Sequence, residues 1–393
     1  MAADDRAPEE LEVVRRIESD SRLSPAPASS SPISSSPIGV SPIGISTDST
    51  RRTFLGGVAA TAVAATLLRS GSARAGTVNN YAASPPTGFA PMSAPGRVVK
   101  VAKSGSLMPN GMYPKEDDAK EMLRRALEEL TGQADMAQAA ALFVHRDDKV
   151  CVKVNGIATE KMGTNKELVL PFIEAMIASG VSPDNITVLE QYGSFLAGTR
   201  VSAQNVPKGV KVSIHQNQDA TMDFRVIPGT GGTQTKFVRA LTESTALINF
   251  SLIKDHSICG YTGCLKNMTH GCSINPEAFH GHHASPQIAL MAAQDVIKSR
   301  MRLHITDGFK VMAHGGPLWK NPQYVLPHEA VYVTTDPVAM DTIGWEIVDK
   351  ARADFKLRSL TDDRRTPAYI QDAADLGLGI ADRSAIVLKE ITI

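Results

Sequence analysis

Thirty residues, from Lys254 to His283, hold three of the chain's four cysteines (Cys259, Cys264, Cys272) and five of its ten histidines (His256, His270, His280, His282, His283). Thiolate sulfur and imidazole nitrogen are the donors that zinc and iron–sulfur centres use. Gly260, Gly263 and Gly271 interrupt the stretch, so its composition predicts a loop, and loops of this length inside a compact domain are usually functional. Three chemistries compete there. Cys259, Cys264, Cys272 and His256 could ligate a metal ion or an iron–sulfur cluster, although the Cys-x4-Cys-x7-Cys spacing matches neither a zinc ribbon nor a ferredoxin run. The cysteines could pair in a disulfide, as exported proteins allow. Alternatively, Lys254, Lys266 and the histidines bind an anionic substrate without metal, a lysine serving as a point charge or, where burial lowers its pKa, as a base. Cys151, inside a β-rich run, reads as a small buried hydrophobe.

The elements that must carry these residues alternate. Strands are expected at Arg97 to Val101, Lys149 to Val154, Ile186 to Leu189, Val210 to Ile214, Ala246 to Ile253, Arg302 to Thr306, Val331 to Thr334 and Ile386 to Leu388. Between them, helical spacing covers Pro114 to Leu130, Asn165 to Ser179, Pro286 to Arg300, Pro337 to Lys350 and Pro367 to Leu376. In the first of these helices Ala119, Met122, Leu123, Ala126, Leu127 and Leu130 fall on one face. Short apolar strands separated by helices predict an α/β fold, an open and mostly parallel sheet with helices on both faces, in one or two lobes. Ligands of such sheets collect outside the carboxyl ends of the strands. The residues that follow each expected strand are Lys103, Asn155, Glu190, Lys254-Asp255-His256, Asp307 and Asp336, a polar set at one edge. Asp307 before Gly308 and Asp336 before Pro337 also suit plain turn and helix-cap chemistry.

Six stretches carry a family resemblance: Asn249 to His256, Thr262 to Asn267, Ile305 to Phe309, Gly315 to Pro317, Thr335 to Asp341 and Leu376 to Ile380. Together with Val152 to Gly156, where Val154 stands in place of a proline, they resemble the bacterial and archaeal family called domain of unknown function 362 over about Val99 to Ile391. The resemblance implies functional positions at Lys153, Lys254, His256, Lys266, Asn267, Asp307, Asp336 and Asp341. It also implies a tie to iron–sulfur or ferredoxin modules and a distant similarity to the nickel-dependent lactate racemase group. This chain has no ferredoxin cysteine run, so a cluster would have to use Cys259 to Cys272.

The first 75 residues read as something other than fold. From Ser21 to Thr50, 11 of 30 residues are Ser and 5 are Pro, too polar to offset chain entropy, which predicts a disordered extension over residues 1–50. Arg51-Arg52, an Ala/Gly-rich apolar run to Leu68 and Ala73-Arg74-Ala75 then have the order of a twin-arginine signal with its cleavage site, residues 51–75. A linker, 76–96, and an α/β domain, 97–393, complete the expected organisation. The chain's 41 basic and 41 acidic residues balance, which argues against a nucleic-acid partner. No apolar run is long enough for a membrane span.

The reading is of a periplasmic or otherwise extracytoplasmic protein, carried by the twin-arginine machinery. Its expected activity is that of a metal- or iron–sulfur-dependent enzyme, an oxidoreductase or isomerase acting on a small carboxylate or phosphate substrate. Lys254, His256, Lys266 and Asp307 are the catalytic candidates. Lys153, Asn155, Asn267 and Asp336 are the substrate-binding candidates, and Cys259, Cys264, Cys272 and His256 the metal ligands. A non-catalytic protein that holds a metal or an anion for a partner is the alternative.

Overall fold

The computed structural model describes residues 80–393, so the Ser/Pro-rich extension and the twin-arginine segment lie outside the described residues. Eleven strands occur among the described residues: β1 Arg97–Ala102, β2 Val150–Lys153, β3 Ile186–Glu190, β4 Lys211–Ile214, β5 Arg225–Val226, β6 Gln234–Thr235, β7 Ala246–His256, β8 Gly260–Thr262, β9 Met301–Met312, β10 Val325–Thr334 and β11 Val387–Thr392. The α-helices are α1 Glu116–Thr131, α2 Met136–Ala140, α3 Lys166–Ala178, α4 Gly193–Thr199, α5 Arg239–Thr242, α6 Cys264–Thr269, α7 Gln287–Ala292, α8 Asp295–Lys298, α9 Pro337–Asp354 and α10 Tyr369–Asp375. Nine strands form one sheet in the order β11-β1-β10-β9-β7-β2-β3-β4, with β8 hydrogen-bonded to the end of β7. Only β10 and β8 run against their neighbours; the other pairings are parallel, as the alternation of short apolar strands and helices requires.

The sheet separates two apolar cores, and residues of one strand alternate between them. Val150, Val152, Ala246, Ile248 and Phe250 face the core that α1, α2 and α3 cover. Cys151 and Leu247 face the other, built with α6, α7, α9 and α10. Helix α1 buries Ala119, Met122, Leu123, Ala126, Leu127 and Leu130, the face its spacing defines, and each of the larger side chains contributes about 1.5–3 kcal/mol by leaving water. Gly132 ends the helix at φ 76°, where a Cβ would be strained, and its N–H reaches the Glu128 carbonyl.

Four sequence expectations change in ways that matter for the site. Strand β7 does not stop at Ile253 but continues through Lys254, Asp255 and His256, which pair with Thr262, Tyr261 and Gly260 of β8. All eleven of its residues are buried. The ensuing stretch is not a plain loop, since β8, α6 and three short 3-10 turns occupy most of it. Strand β9 runs on to Met312, so Asp307 lies within a strand, next to a bulge between Leu252 and Ile253 of the partner β7. The helix expected over Pro286 to Arg300 is two short helices. Gln294 is extended between them, and the Asp295 carboxylate turns to cap Val296 N–H (2.7 Å) and to hold Tyr81 N–H (3.0 Å).

Residues 80–96 are also not a free linker. Tyr81 N–H is held by Asp295, Ala83 N–H by Ser299 Oγ, Ala94 N–H by Thr335 Oγ1 and Gly96 N–H by Asp336 Oδ2, all at 2.8–3.0 Å.

Candidate active site

Strand β2 ends on Lys153, and the chain turns there to bring Asn155 to the rim of the sheet. Beside it β7 delivers His256, and the tight β7–β8 hairpin returns the chain to α6, whose first turn carries Lys266 and Asn267. Helix α6 is aimed by Asp341 of α9, whose Oδ1 and Oδ2 accept Cys264 N–H (2.6 Å) and Leu265 N–H (3.0 Å). These residues, with Glu190, Gln191, Thr262, His270, Glu277 and His280, line a cleft of about 640 Å³. The cleft lies at the carboxyl ends of β2, β3 and β7, where an open parallel sheet places its ligands.

Lys153 is almost fully buried and neutralised. Its Nζ donates to Glu190 Oε1 at 3.0 Å and to the Val154 carbonyl, while Glu190 also accepts Gly156 N–H (3.0 Å) and Gln191 N–H (2.7 Å). A Cβ on Gly271 would come within 2.6 Å of Lys153 Cε and would push the lysine's end aside. The lysine that the cleft's imidazoles surround is instead Lys266. Its Nζ lies 2.6 Å from His256 Nε2 and 3.1 Å from His280 Nε2, and the His256 and His280 rings stack at 5.5 Å. His270 packs edge-on to His280 at 4.9 Å.

The backbone fixes where the protons are. His256 Nδ1 accepts Ile258 N–H (3.1 Å) and Cys259 N–H (3.4 Å), so the neutral ring carries its proton on Nε2 and donates it to Lys266. Lys266 must then offer a lone pair and be an amine. His280 Nδ1 faces the Pro276 carbonyl at 3.0 Å and donates there, which leaves its Nε2 to accept from Lys266. Burial acts in the same direction: it lowers Lys266 from the ordinary lysine value, His256 and His270 well below the ordinary imidazole value, and His280 to about 3. Two oxygens at the cleft, Thr262 Oγ1 and Glu277 Oε2, are buried without a hydrogen-bond partner among the described residues.

Several sequence candidates take other places. Lys254 is fully buried behind the cleft and reaches it only through Asn155, at 2.9 Å. Asp307 accepts Asn165 N–H (2.7 Å), Asn165 Nδ2 (2.9 Å) and Phe309 N–H (3.2 Å), and so fastens the start of α3 to β9. Asp336 is the N-cap of α9, accepting Val338 N–H (3.0 Å) and Ala339 N–H (2.9 Å) together with Gly96 and Ile380 N–H. Lys103 pairs with Asp118 at 2.6 Å.

Cys151 is the buried strand residue that its surroundings in the sequence suggest, and the other three cysteines join it in the core. All four are free thiols buried in one apolar core, so the disulfide expectation does not hold. Cys259 Sγ donates to the Tyr261 carbonyl (3.2 Å), and Cys264 Sγ sits against Ser251 Oγ (3.2 Å) and Thr306 Oγ1 (3.7 Å). They do not converge with His256, and among the described residues no group of three or more His, Cys, Asp or Glu side chains is arranged to hold a metal ion. The Cys259 to Cys272 segment therefore does not fit an iron–sulfur cluster. His270 and His280 belong to the histidine-rich stretch and Glu190 to the polar set after the strands, whereas Thr262 and Glu277 carry no signal in the sequence that singles them out.

The arrangement defines an α/β protein with a buried lysine–imidazole cleft at the carboxyl edge of its sheet. Residues 150–346, half of the chain, match the family described as Domain of unknown function (DUF362), and the chain belongs to that family. Among solved structures it is similar to the lactate racemase apoprotein from Thermoanaerobacterium thermosaccharolyticum, at 11% identity and a TM-score of 0.35. That similarity covers 64% of this chain and 57% of the other. No curated protein matches the chain. No helix of the described residues is long and apolar enough to cross a membrane.

Proposed function

We propose that the protein is an enzyme that binds a small carboxylate- or phosphate-bearing substrate in this cleft and moves a proton with Lys266, flanked by His256 and His280. The carrying observation is the placement of Lys266 Nζ between the two Nε2 atoms, at 2.6 and 3.1 Å. With His256 donating and His280 accepting, the amine belongs to a directed chain. It takes a proton from a bound molecule as the His256 N–H gives way, and holds it as an ammonium hydrogen-bonded to His280 Nε2, so the charge created is stabilised by an imidazole. The partnerless Thr262 Oγ1 and Glu277 Oε2 favour a ligand that supplies their hydrogen bonds. The imidazole nitrogens that converge on the cleft meet the lysine amine and the cysteines face the core, so the proton transfer is assigned to Lys266 and its two imidazoles.

The test is substrate-blind. Purified protein is incubated in D2O with a panel of small 2-hydroxy, 2-oxo and phosphorylated acids, and carbon-bound hydrogen is followed by NMR. Exchange into at least one acid, abolished in Lys266→Met, is expected. Binding of an anion with no exchange anywhere in the panel would leave a binding protein and sink the enzyme reading.

A further inference from the structure

Lys254 is fully buried, and its Nζ makes one hydrogen bond among the described residues, to Asn155 Oδ1 at 2.9 Å. That bond opens a chain of amides. Asn155 Nδ2 donates to Asn267 Oδ1 (3.0 Å), and Asn267 Nδ2 donates to Asn249 Oδ1 (2.7 Å) and to the Phe250 carbonyl (3.0 Å). Asn249 Nδ2 in turn donates to the Cys264 carbonyl (3.0 Å) and to His304 Nδ1 (3.1 Å).

The carbonyl end of this chain is unambiguous. A backbone carbonyl can only accept, so Phe250 dictates the orientation of Asn267 and through it that of Asn155, whose Oδ1 then faces Lys254 Nζ as the acceptor. Turning the Asn155 amide over would set NH2 against the lysine and oxygen against the Asn267 oxygen, two mismatches in a site nearly closed to water. With its oxygen occupied and one N–H spent on Asn267, Asn155 has one N–H without a partner among the described residues, and Asn155 lines the cleft.

We infer that Lys254 is a positioning and specificity residue: it fixes the Asn155 amide with an N–H toward the cleft, so that the cleft receives an acceptor oxygen, such as a carboxylate or phosphate oxygen, at that point. The inference rests on the anion-binding part of the proposed function and gives it a contact. It also explains why a lysine that lies behind the cleft is kept in a fully buried strand, where burial carries a large desolvation cost.

The test reads binding rather than turnover, with inorganic phosphate and acetate as probes, titrated by calorimetry against the full chain. Lys254→Met and Asn155→Ala are each expected to weaken phosphate about tenfold, and the double variant to be no weaker than either single one, because the lysine acts through the amide. Lys254→Gln, which removes the charge and keeps a donor, is expected to retain most of the affinity. Additive losses in the double variant, or Gln and Met substitutions equally impaired, would show that Lys254 acts as a distant charge and would overturn the inference. Should the Lys254 variants fail to fold, the wild type decides. Asparagine-selective 15N spectra are expected to show two inequivalent, slowly exchanging Asn155 amide protons, of which one shifts on adding phosphate; two averaged protons, or no shift while phosphate binds, would overturn it. A wild type that binds neither probe would instead remove the anion cleft itself.

Discussion

A lysine amine that must accept a hydrogen bond from His256 is a base before any substrate arrives. Replacing Lys266 by Met is therefore expected to lower carbon–hydrogen exchange by about 10²–10⁴-fold with little change in the thermal midpoint, since general bases contribute on that scale. The same burial has a stability signature. His215, His256, His270, His280, His304 and His328 are all held below the ordinary imidazole value by burial, His280 and His304 at about 3. The unfolded chain takes up those protons as pH falls below about 6.5, whereas the folded chain refuses them until far lower pH, so stability falls on acidification through that window. Buried Asp255, Asp307 and Asp341 are raised and oppose the trend, but they are three against six. Urea melts are expected to show lower stability at pH 5 than at pH 7.5; a flat profile would mean that the imidazoles are not held neutral. At this scale the sequence was only partly legible. Lys266, His256, Asn155 and Asn267 come together as expected, whereas Asp307 and Asp336 satisfy backbone N–H groups, a role that their positions before Gly308 and Pro337 already allowed.

Helix α6 is six residues long and could not hold Lys266 in place by helical propensity alone. Its anchor is the Asp341 carboxylate, fully buried and raised to about 7 by that burial, accepting the first two N–H groups of the helix. Asp341→Ala is expected to lower stability by about 1–2 kcal/mol, read from a denaturant melt, and to reduce exchange activity more than a surface substitution of equal stability cost. Helix α1 was legible because its apolar spacing alone decides its buried face. The extension of β7 was not, for Lys254-Asp255-His256 reads as a charged strand end. It is buried only because Arg365 Nη1 and Arg352 Nη1 approach Asp255 Oδ1 at 2.8 and 3.4 Å from residues more than ninety positions away, a compensation that no local pattern announces.

Over the whole molecule, residues 80–96 are fastened to the body rather than hanging as a tether. Deleting residues 80–96 is expected to destabilise the protein by about 1–3 kcal/mol, because Tyr81, Ala83, Ala94 and Gly96 lose the partners that fix them; an unchanged thermal melt would count against these contacts. Export remains a proposal carried by residues 51–75. A folded reporter fused behind residues 1–80 is expected to leave the cytoplasm, and Arg51→Lys with Arg52→Lys to stop it; continued export through the general secretory route would count against the proposal. The sheet order adds a constraint of another kind. Strand β1, the first of the domain, lies between β10 and β11, and Val101 pairs with Ile391 at the far end of the sequence. A ribosome must therefore release nearly the whole chain before the first strand finds either neighbour. Through most of translation β1 has no neighbour to pair with, and its pairing with β11 is among the last long-range contacts the sheet can make.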